Sequence, residues 1–229
     1  MKISGRISGT RIKRLNDRGP MRKKYVLYWM QQSQRADYNH ALEYAVQRAN
    51  GLGQPLVVVF GLTGDYPDAN SRHYRFMLEG LAETRRSLAD RGIKMAVRIG
   101  DPAVKALELA GEASLLVCDR GYLRHQRAWR KRVAGEAECE TVQVESDVVV
   151  PVETASERPE TAARTIRPRI HRQLDSHLVG LRKTRLENDS SGMRLDGVDL
   201  DELDGTLFLL GGGDRMSPGG LFGGGGALG

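Results

Sequence analysis

The stretch that decides the fold is "YVLYWMQQSQRADYNHALEYAVQRAN", residues 25–50. It begins with a short aromatic and β-branched run, which favours a buried strand. That run ends at a polar loop, and the apolar residues that follow recur at helical spacing. Asn39 is placed to cap this helix, and Gly51 is placed to follow its last turn. The stretch therefore predicts a strand, a loop and a helix in immediate succession.

The same alternation continues along the chain. Further strands are predicted at "PLVVVFGL" (55–62), "IKMAVRIG" (93–100), "SLLVCD" (114–119) and "CETVQVE" (139–145). Helical patterns separate them, and in the first of these, residues 71–92, Ser71 is a candidate cap and Phe76, Leu78, Leu81 and Leu88 are candidate apolar positions. Strands and helices that alternate with short links favour right-handed parallel crossovers. We predict a doubly wound, Rossmann-like α/β domain over residues 24–152, with a five-stranded parallel sheet and helices on both faces.

Both flanks of this domain differ in composition from it. Residues 1–23 are basic and aperiodic, which predicts an N-terminal arm. Residues 153–229 are predicted to be a flexible linker and tail, because the end, "GGGDRMSPGGLFGGGGALG", buries too little to offset its ordering entropy. Within this part, the basic segment 164–185 is predicted to run along a further domain rather than to bind DNA as an arm.

Bulk composition excludes several classes of protein. The chain has 229 residues, 40% of them hydrophobic, and a formal charge of +6, which permits a polyanionic partner without requiring one. Cys118 and Cys139 lack the spacing of a disulfide framework or a zinc site, and no metal site is predicted. No apolar run approaches the roughly 20 residues of a membrane helix. We expect a cytoplasmic protein without membrane association.

Candidate ligand-binding residues follow from the fold. In an open parallel sheet, ligands bind outside the carboxyl ends of the strands, where the winding reverses. The loop "MQQSQR" (30–35) has no glycine, so it is not a phosphate loop, but its amide and guanidinium donors beside an aromatic suit a flat ring with a polar edge. The candidate pocket residues are Trp29, Met30, Gln31, Arg35, Asp119 and Arg120. The alternative is that the glutamines only solvate a strand end and that Asp119 and Arg120 form a structural ion pair.

The helix predicted after the fourth strand is strongly basic. Arg124 and Arg127 are three residues apart and Arg127 and Lys131 four apart, so each pair shares a helix face. Such a face fits either a phosphate-binding patch or an ordinary solvated surface. No nucleophile motif and no histidine pair with ligand spacing accompanies it. From the residues alone, the prediction is a ligand-binding α/β domain without evident catalytic groups.

Five blocks of the sequence, taken together, resemble class II DNA photolyases. They are "YVLYWMQQSQRADYNHALEYAVQRAN", "PLVVVFGLTGDYPDANSRHYRFMLEGL", "LLVCDRGYLRHQRAWR", "VQVESDVVVPVETAS" and "AARTIRPRI", and the resemblance runs from about residue 11 to residue 170. It implies light-driven repair of cyclobutane pyrimidine dimers in DNA. It also implies an N-terminal α/β antenna domain that can carry a deazaflavin or a folate, followed by an all-helical domain that binds FAD.

The sequence departs from this family plan at its end. The chain stops where the helical domain is expected, and no residue matches the family's FAD-binding, dimer-binding or electron-relay positions, so no catalytic residue is assigned. We expect the chain to be the N-terminal part of a photolyase, unable to repair DNA alone, with DNA and a separately encoded helical FAD domain as expected partners. The alternatives are a stand-alone module that binds a flavin, deazaflavin or nucleotide, and a non-functional remnant.

Overall fold

A computed structural model of the protein describes residues 3–19 and 21–211. The strands are β1 (Ile3–Ser4), β2 (Ile12–Arg14), β3 (Tyr25–Trp29), β4 (Leu56–Leu62), β5 (Lys94–Ile99), β6 (Ala113–Asp119), β7 (Glu140–Val144) and β8 (Gly180–Leu181). The helices are α1 (His40–Leu52), α2 (Ser71–Ala89), α3 (Pro102–Ala110), α4 (Arg124–Glu136), α5 (Val152–Ala155), α6 (Ala163–His171), α7 (Leu174–His177) and α8 (Leu203–Gly211). Within the described ranges, none of these helices is long and apolar enough to cross a bilayer.

The central sheet has the strand order β2-β7-β6-β3-β4-β5. Strands β3 to β7 are mutually parallel, which confirms the predicted five-stranded doubly wound sheet. The chain runs outward from β3 through β4 to β5, then returns to β6 and β7 on the other side of β3. The winding therefore reverses between β3 and β6, which is the point where such sheets bind ligands.

Burial explains why the sequences of β3, β4 and β6 are nearly continuous apolar runs. Every residue of these strands is buried, because helices cover the sheet on both faces. Alternate side chains enter two separate cores: Tyr28 and Val58 pack on one face, and Leu27 and Trp29 on the other.

The helix ends differ from the sequence predictions by one or two residues. Asn39 caps α1 as predicted, accepting from the Leu42 amide at 2.9 Å. The helix runs to Leu52, so the glycine that follows it is Gly53 rather than Gly51, and the φ of 62° at Gly53 lies in the left-handed region. On α2 the cap is Asn70 rather than Ser71. These shifts arise because each neighbouring residue offers similar capping chemistry, so the sequence leaves the choice to packing.

Phe76 is one of the predicted apolar positions of α2, but it does not lie on the buried face of that helix. Its side chain is 81% exposed, while Tyr74, Leu78 and Leu81 are buried. Positions 74, 78 and 81 repeat at helical spacing on one face, and position 76 falls on the other.

Part of the predicted N-terminal arm lies within the fold. A 3₁₀ turn at Gly9–Arg11 leads into β2, which pairs antiparallel with β7 and adds a sixth strand to the sheet. Arg11 is buried, and its guanidinium donates to the carbonyl oxygens of Glu145, Val148 and Val149. A three-residue edge strand is too short to produce a periodic pattern, which is why the sequence indicated only a basic arm.

Part of the predicted linker packs against the domain. The buried Glu43 carboxylate of α1 accepts from Arg91 Nη2 at 2.7 Å and from the Thr184 amide at 2.6 Å. Farther along, Ser190 Oγ donates to the Leu56 carbonyl, and the Val198 amide donates to the Val97 carbonyl. Residues 184–187 therefore contact α1, and residues 190–198 follow the β5 edge of the sheet. The glycine-rich tail prediction, for 212–229, lies outside the described residues.

One carboxylate fixes the loop that follows β3. Asp119, the last residue of β6, is buried, and its Oδ2 accepts from the backbone amides of Gln31, Gln32 and Ser33 at 2.8–3.0 Å. Its Oδ1 accepts from the Tyr28 hydroxyl at 2.7 Å. Burial raises the pKa of Asp119, and these four donors oppose that effect. A single side chain at the end of β6 thus holds the loop that follows the neighbouring strand β3.

Replacing Asp119 tests this anchor. Asp119→Ala leaves three amides and a hydroxyl without their acceptor in a buried region, and we expect a loss of about 3 kcal/mol in unfolding free energy. Asp119→Asn keeps one oxygen for the amides, and we expect a loss of about 1 kcal/mol. Urea denaturation measures both values. Equal stabilities of the alanine variant and the unmodified protein would contradict the anchoring role.

Candidate functional site

A cavity of about 360 Å³ opens at the carboxyl ends of β3 and β4. This volume lies in the range of small-molecule sites. Its walls come from the end of β3, the end of β4 and the loop after it, and from α2, α3 and α4. Representative lining residues are Trp29, Gln31, Leu62, Tyr66, Met77 and Trp129.

Aromatic rings form one side of the cavity. The Tyr66 and His125 rings meet edge to face, with centroids 4.7 Å apart and an angle of 81° between planes. The His125 and Trp129 rings meet similarly, with centroids 5.0 Å apart. Such contacts hold the rings in place without filling the space between them. Tyr66 and Trp129 thereby offer fixed aromatic surface to a flat ligand.

Several polar side chains line the cavity, and some of their atoms lack hydrogen-bond partners among the described residues. Gln31 is only 7% exposed, yet in the described part of the chain neither its Nε2 nor its Oε1 makes a hydrogen bond. Trp29 Nε1, also at the cavity, is buried and has no hydrogen-bond partner among the described residues. The same holds for Nε2 of His125, which contacts Tyr66 and Trp129 but does not itself line the cavity. Buried polar groups without partners are uncommon and costly, about 1–3 kcal/mol each. A ligand with a donor and an acceptor on one edge would satisfy the Gln31 amide.

Backbone rather than side chains forms one wall of the cavity. A Cβ placed on Gly61 would lie 2.5 Å from Pro102 Cα, so only glycine allows α3 to approach β4 this closely. Asp101 caps α3 by accepting from the Val104 amide, with Pro102 in the first turn. The position of this wall is therefore set by two backbones in contact.

The structure brings three of the six predicted pocket residues together. Trp29, Met30 and Gln31 line the cavity. The other three predicted residues do not line it. Arg35 points to Asp147, with its Nη1 2.7 Å from the Asp147 Oδ1. Asp119 lies beneath the loop as its anchor.

Arg120 likewise lies away from this cavity. It forms ion pairs with Glu145 at 3.3 Å and Glu153 at 3.1 Å, and it lines a different cleft. The alternative of an ion pair between Asp119 and Arg120 is wrong, because Asp119 binds backbone amides and Arg120 binds glutamates. The two side chains leave the end of β6 in opposite directions, as the alternation of a strand requires.

Sequence reasoning missed the aromatic wall. Tyr66, in the loop after β4, is not among the predicted pocket residues. His125 and Trp129 are four residues apart on α4 and share a face, a signal that the excess of basic residues in this helix obscured.

Comparison with known proteins identifies the family. The DNA photolyase family model matches residues 26–188. The deoxyribodipyrimidine photo-lyase of Methanothermobacter thermautotrophicus is 49% identical over 185 residues, which is 80% of this chain and 42% of that protein. The Arabidopsis thaliana photo-lyase is 34% identical over 158 residues, covering 67% of this chain and 32% of its own length. The chain thus spans less than half of these curated relatives.

Solved structures show the same fold at low sequence identity. An archaeal photolyase from Sulfolobus tokodaii, described with two FAD molecules, superposes with a TM-score of 0.59 at 15% identity, covering 86% of this chain and 43% of that one. A class III photolyase from Agrobacterium tumefaciens gives 0.55 at 16% identity, covering 82% and 39%. Since the family model matches more than half of the sequence, the chain belongs to the DNA photolyase family.

Proposed function

We propose that this chain is the N-terminal part of a class II deoxyribodipyrimidine photolyase and that its cavity holds a light-harvesting pigment. The observation that carries this proposal is the buried, unpartnered amide of Gln31 inside an aromatic cavity. Membership in the DNA photolyase family supports it, as does the description of the Sulfolobus tokodaii photolyase, which mentions a novel light-harvesting cofactor.

The residues of the cavity fit a planar pigment such as a deazaflavin or a folate. Both carry a ring edge on which N–H and C=O groups are adjacent, and the Gln31 amide offers the complementary oxygen and nitrogen. Trp29 Nε1 supplies a second donor, while Tyr66 and Trp129 present aromatic surface to the ring. The pigment, when bound, supplies absorption of light and transfer of excitation energy. The protein's part is to orient the ring and to exclude water from it.

The activity of the whole protein is proposed from the family. Deoxyribodipyrimidine photo-lyases are named for their action on pyrimidine dimers, and DNA is therefore the proposed substrate of the complete enzyme. We place its FAD in a helical domain outside these residues, either continuous with this chain or separately encoded, and we place the complete enzyme in the cytoplasm.

A stand-alone binding module is the second candidate function. The lining residues within the described part of the chain all fall between residues 29 and 129, so the α/β domain supplies these walls by itself. A flavin, deazaflavin or nucleotide would then bind without chemistry on DNA. The two candidates differ in whether a helical FAD domain accompanies this chain in the cell.

Gln31 variants test the pigment site. Gln31→Leu removes both unpartnered polar atoms, so we expect a deazaflavin or folate to bind about tenfold more weakly. We also expect the ligand-free variant to melt a few degrees higher, because a buried amide without partners is replaced by an apolar group of similar size. Absorbance titration and thermal melting measure the two effects.

Arg35→Ala is the matched control, since Arg35 belongs to the same loop but lies outside the cavity. It should bind pigment as the unmodified protein does. If Gln31→Leu bound the pigment with unchanged affinity, or if only Arg35→Ala lost affinity for it, the pigment would not bind in this cavity.

A repair assay tests the proposal that the FAD site and the repair reaction belong to a helical domain outside these residues. A polypeptide of residues 1–229, supplied with FAD and blue light, should leave thymine dimers in an oligonucleotide intact, because the proposed FAD site lies elsewhere. An intact photolyase of the family serves as the positive control. Dimer splitting by the isolated polypeptide would show that the catalytic site is within this chain.

A further inference from the structure

A second, basic cleft lies on another face of α4 from the aromatic cavity. It has a volume of about 690 Å³ and lies between α4, the β2 edge and the start of α5. Its basic lining residues are Lys13, Arg18, Arg120, Arg127, Arg130 and Lys131. Its acidic lining residues are Asp17 and Glu153. Glu145 does not line the cleft, but it forms an ion pair with Arg120 and is counted with the acidic residues. Six positive and three negative charges then leave an excess of three positive charges.

Arg130 is the unusual member of this set. It is only 9% exposed, and its Nη1 donates a hydrogen bond to the Gly121 carbonyl at 2.9 Å. Among the described residues it has no ion-pair partner within 4.0 Å. Burial lowers the pKa of Arg130, and the positive charges of Arg120 and Arg127 lower it further. A buried guanidinium without a counter-ion is costly, and an anion in the cleft would offset that cost.

Glu153 already acts as an internal anion for part of the cleft. Its carboxylate lies 3.2 Å from Lys13 Nζ and 3.1 Å from Arg120 Nη2, and a hydrogen bond from Lys13 lowers the pKa of Glu153. Its side chain is half exposed, so an incoming anion can displace it. Arg127 and Lys131, one turn apart on α4, have no side-chain partner in the part of the chain that the structure describes.

The lining also limits the chemistry of a ligand. Among the described residues, no aromatic side chain lines the cleft, so a nucleobase or another flat ring would find no aromatic surface to stack on. A single carboxylate would neutralise only one of the excess charges. Arginine side chains bind phosphate oxygens through paired N–H groups, and several of them together favour several phosphates.

We propose that this basic cleft binds a ligand carrying several phosphate groups, through Arg127, Arg130 and Lys131, with Glu153 as the competing internal anion. The phosphates come either from a free polyphosphate chain or from a nucleic-acid backbone. The site is independent of the proposed pigment cavity, since the two share none of their lining residues.

Inorganic tripolyphosphate is the probe, titrated into the 229-residue protein by calorimetry at low salt. The double variant Arg127→Ala/Lys131→Ala should bind about tenfold more weakly, because two charged contacts are lost. Glu153→Gln should bind several-fold more tightly, because the internal competitor is gone. The control Arg124→Ala/Arg132→Ala removes the same charge from α4 outside the cleft and should bind unchanged. All four side chains removed from α4 are accessible, and circular dichroism checks that the variants fold.

An undamaged DNA duplex distinguishes the two sources of phosphate. Duplex binding that competes with tripolyphosphate, weakens with salt and shows the same variant pattern assigns the cleft to a nucleic-acid backbone. Tripolyphosphate binding without duplex binding assigns it to a free polyphosphate. Tripolyphosphate binding no tighter than sulfate binding, or equal weakening in the cleft and control variants, would overturn the proposal.

Discussion

The Asp119 carboxylate is the constraint on which the rest of the carboxyl edge depends. It ends β6, and it holds three consecutive backbone amides of the loop after β3 together with the Tyr28 hydroxyl. A loop that crosses the winding reversal needs its amides satisfied away from water, and this one uses a side chain from the adjacent strand. Asn39 extends the network by donating to the Tyr28 hydroxyl and capping α1. The strand, the loop and the following helix are thus held by one hydrogen-bond network.

This arrangement separates the roles of backbone and side chain in the loop. Because the backbone amides of residues 31–33 bind Asp119, the Gln31 side chain is free to enter the cavity, and nothing in the described part of the chain pairs with it there. Helix α4 then divides the neighbouring space into two chemically different halves. Its Trp129 face borders an aromatic cavity, and its Arg127 and Lys131 face borders a basic cleft.

The sequence predicted the parallel sheet because its signal is repeated: each buried strand is an apolar run, and each run is followed by a helical period. The sequence did not predict β2, because three residues at a sheet edge leave no such repeat. It also did not predict the packing of residues 184–198, because their contacts depend on single polar atoms such as Ser190 Oγ.

At the candidate site, the switch-point rule marked the carboxyl edge of the sheet, where the cavity lies, and its candidates include Trp29 and Gln31, which line that cavity. It could not distinguish Asp119, an internal anchor, from a ligand contact, since both are polar residues at strand ends. It also could not place His125 beside Tyr66, because that contact joins elements distant in sequence.

Both tryptophans of the chain, Trp29 and Trp129, lie at the aromatic cavity. Indole emission depends on the polarity around the ring and is quenched by energy transfer to nearby absorbers. The tryptophan fluorescence of this protein therefore originates at one place, and its intensity and wavelength report the contents of that cavity. The molecule carries its own optical probe, with no background from tryptophans elsewhere in the fold.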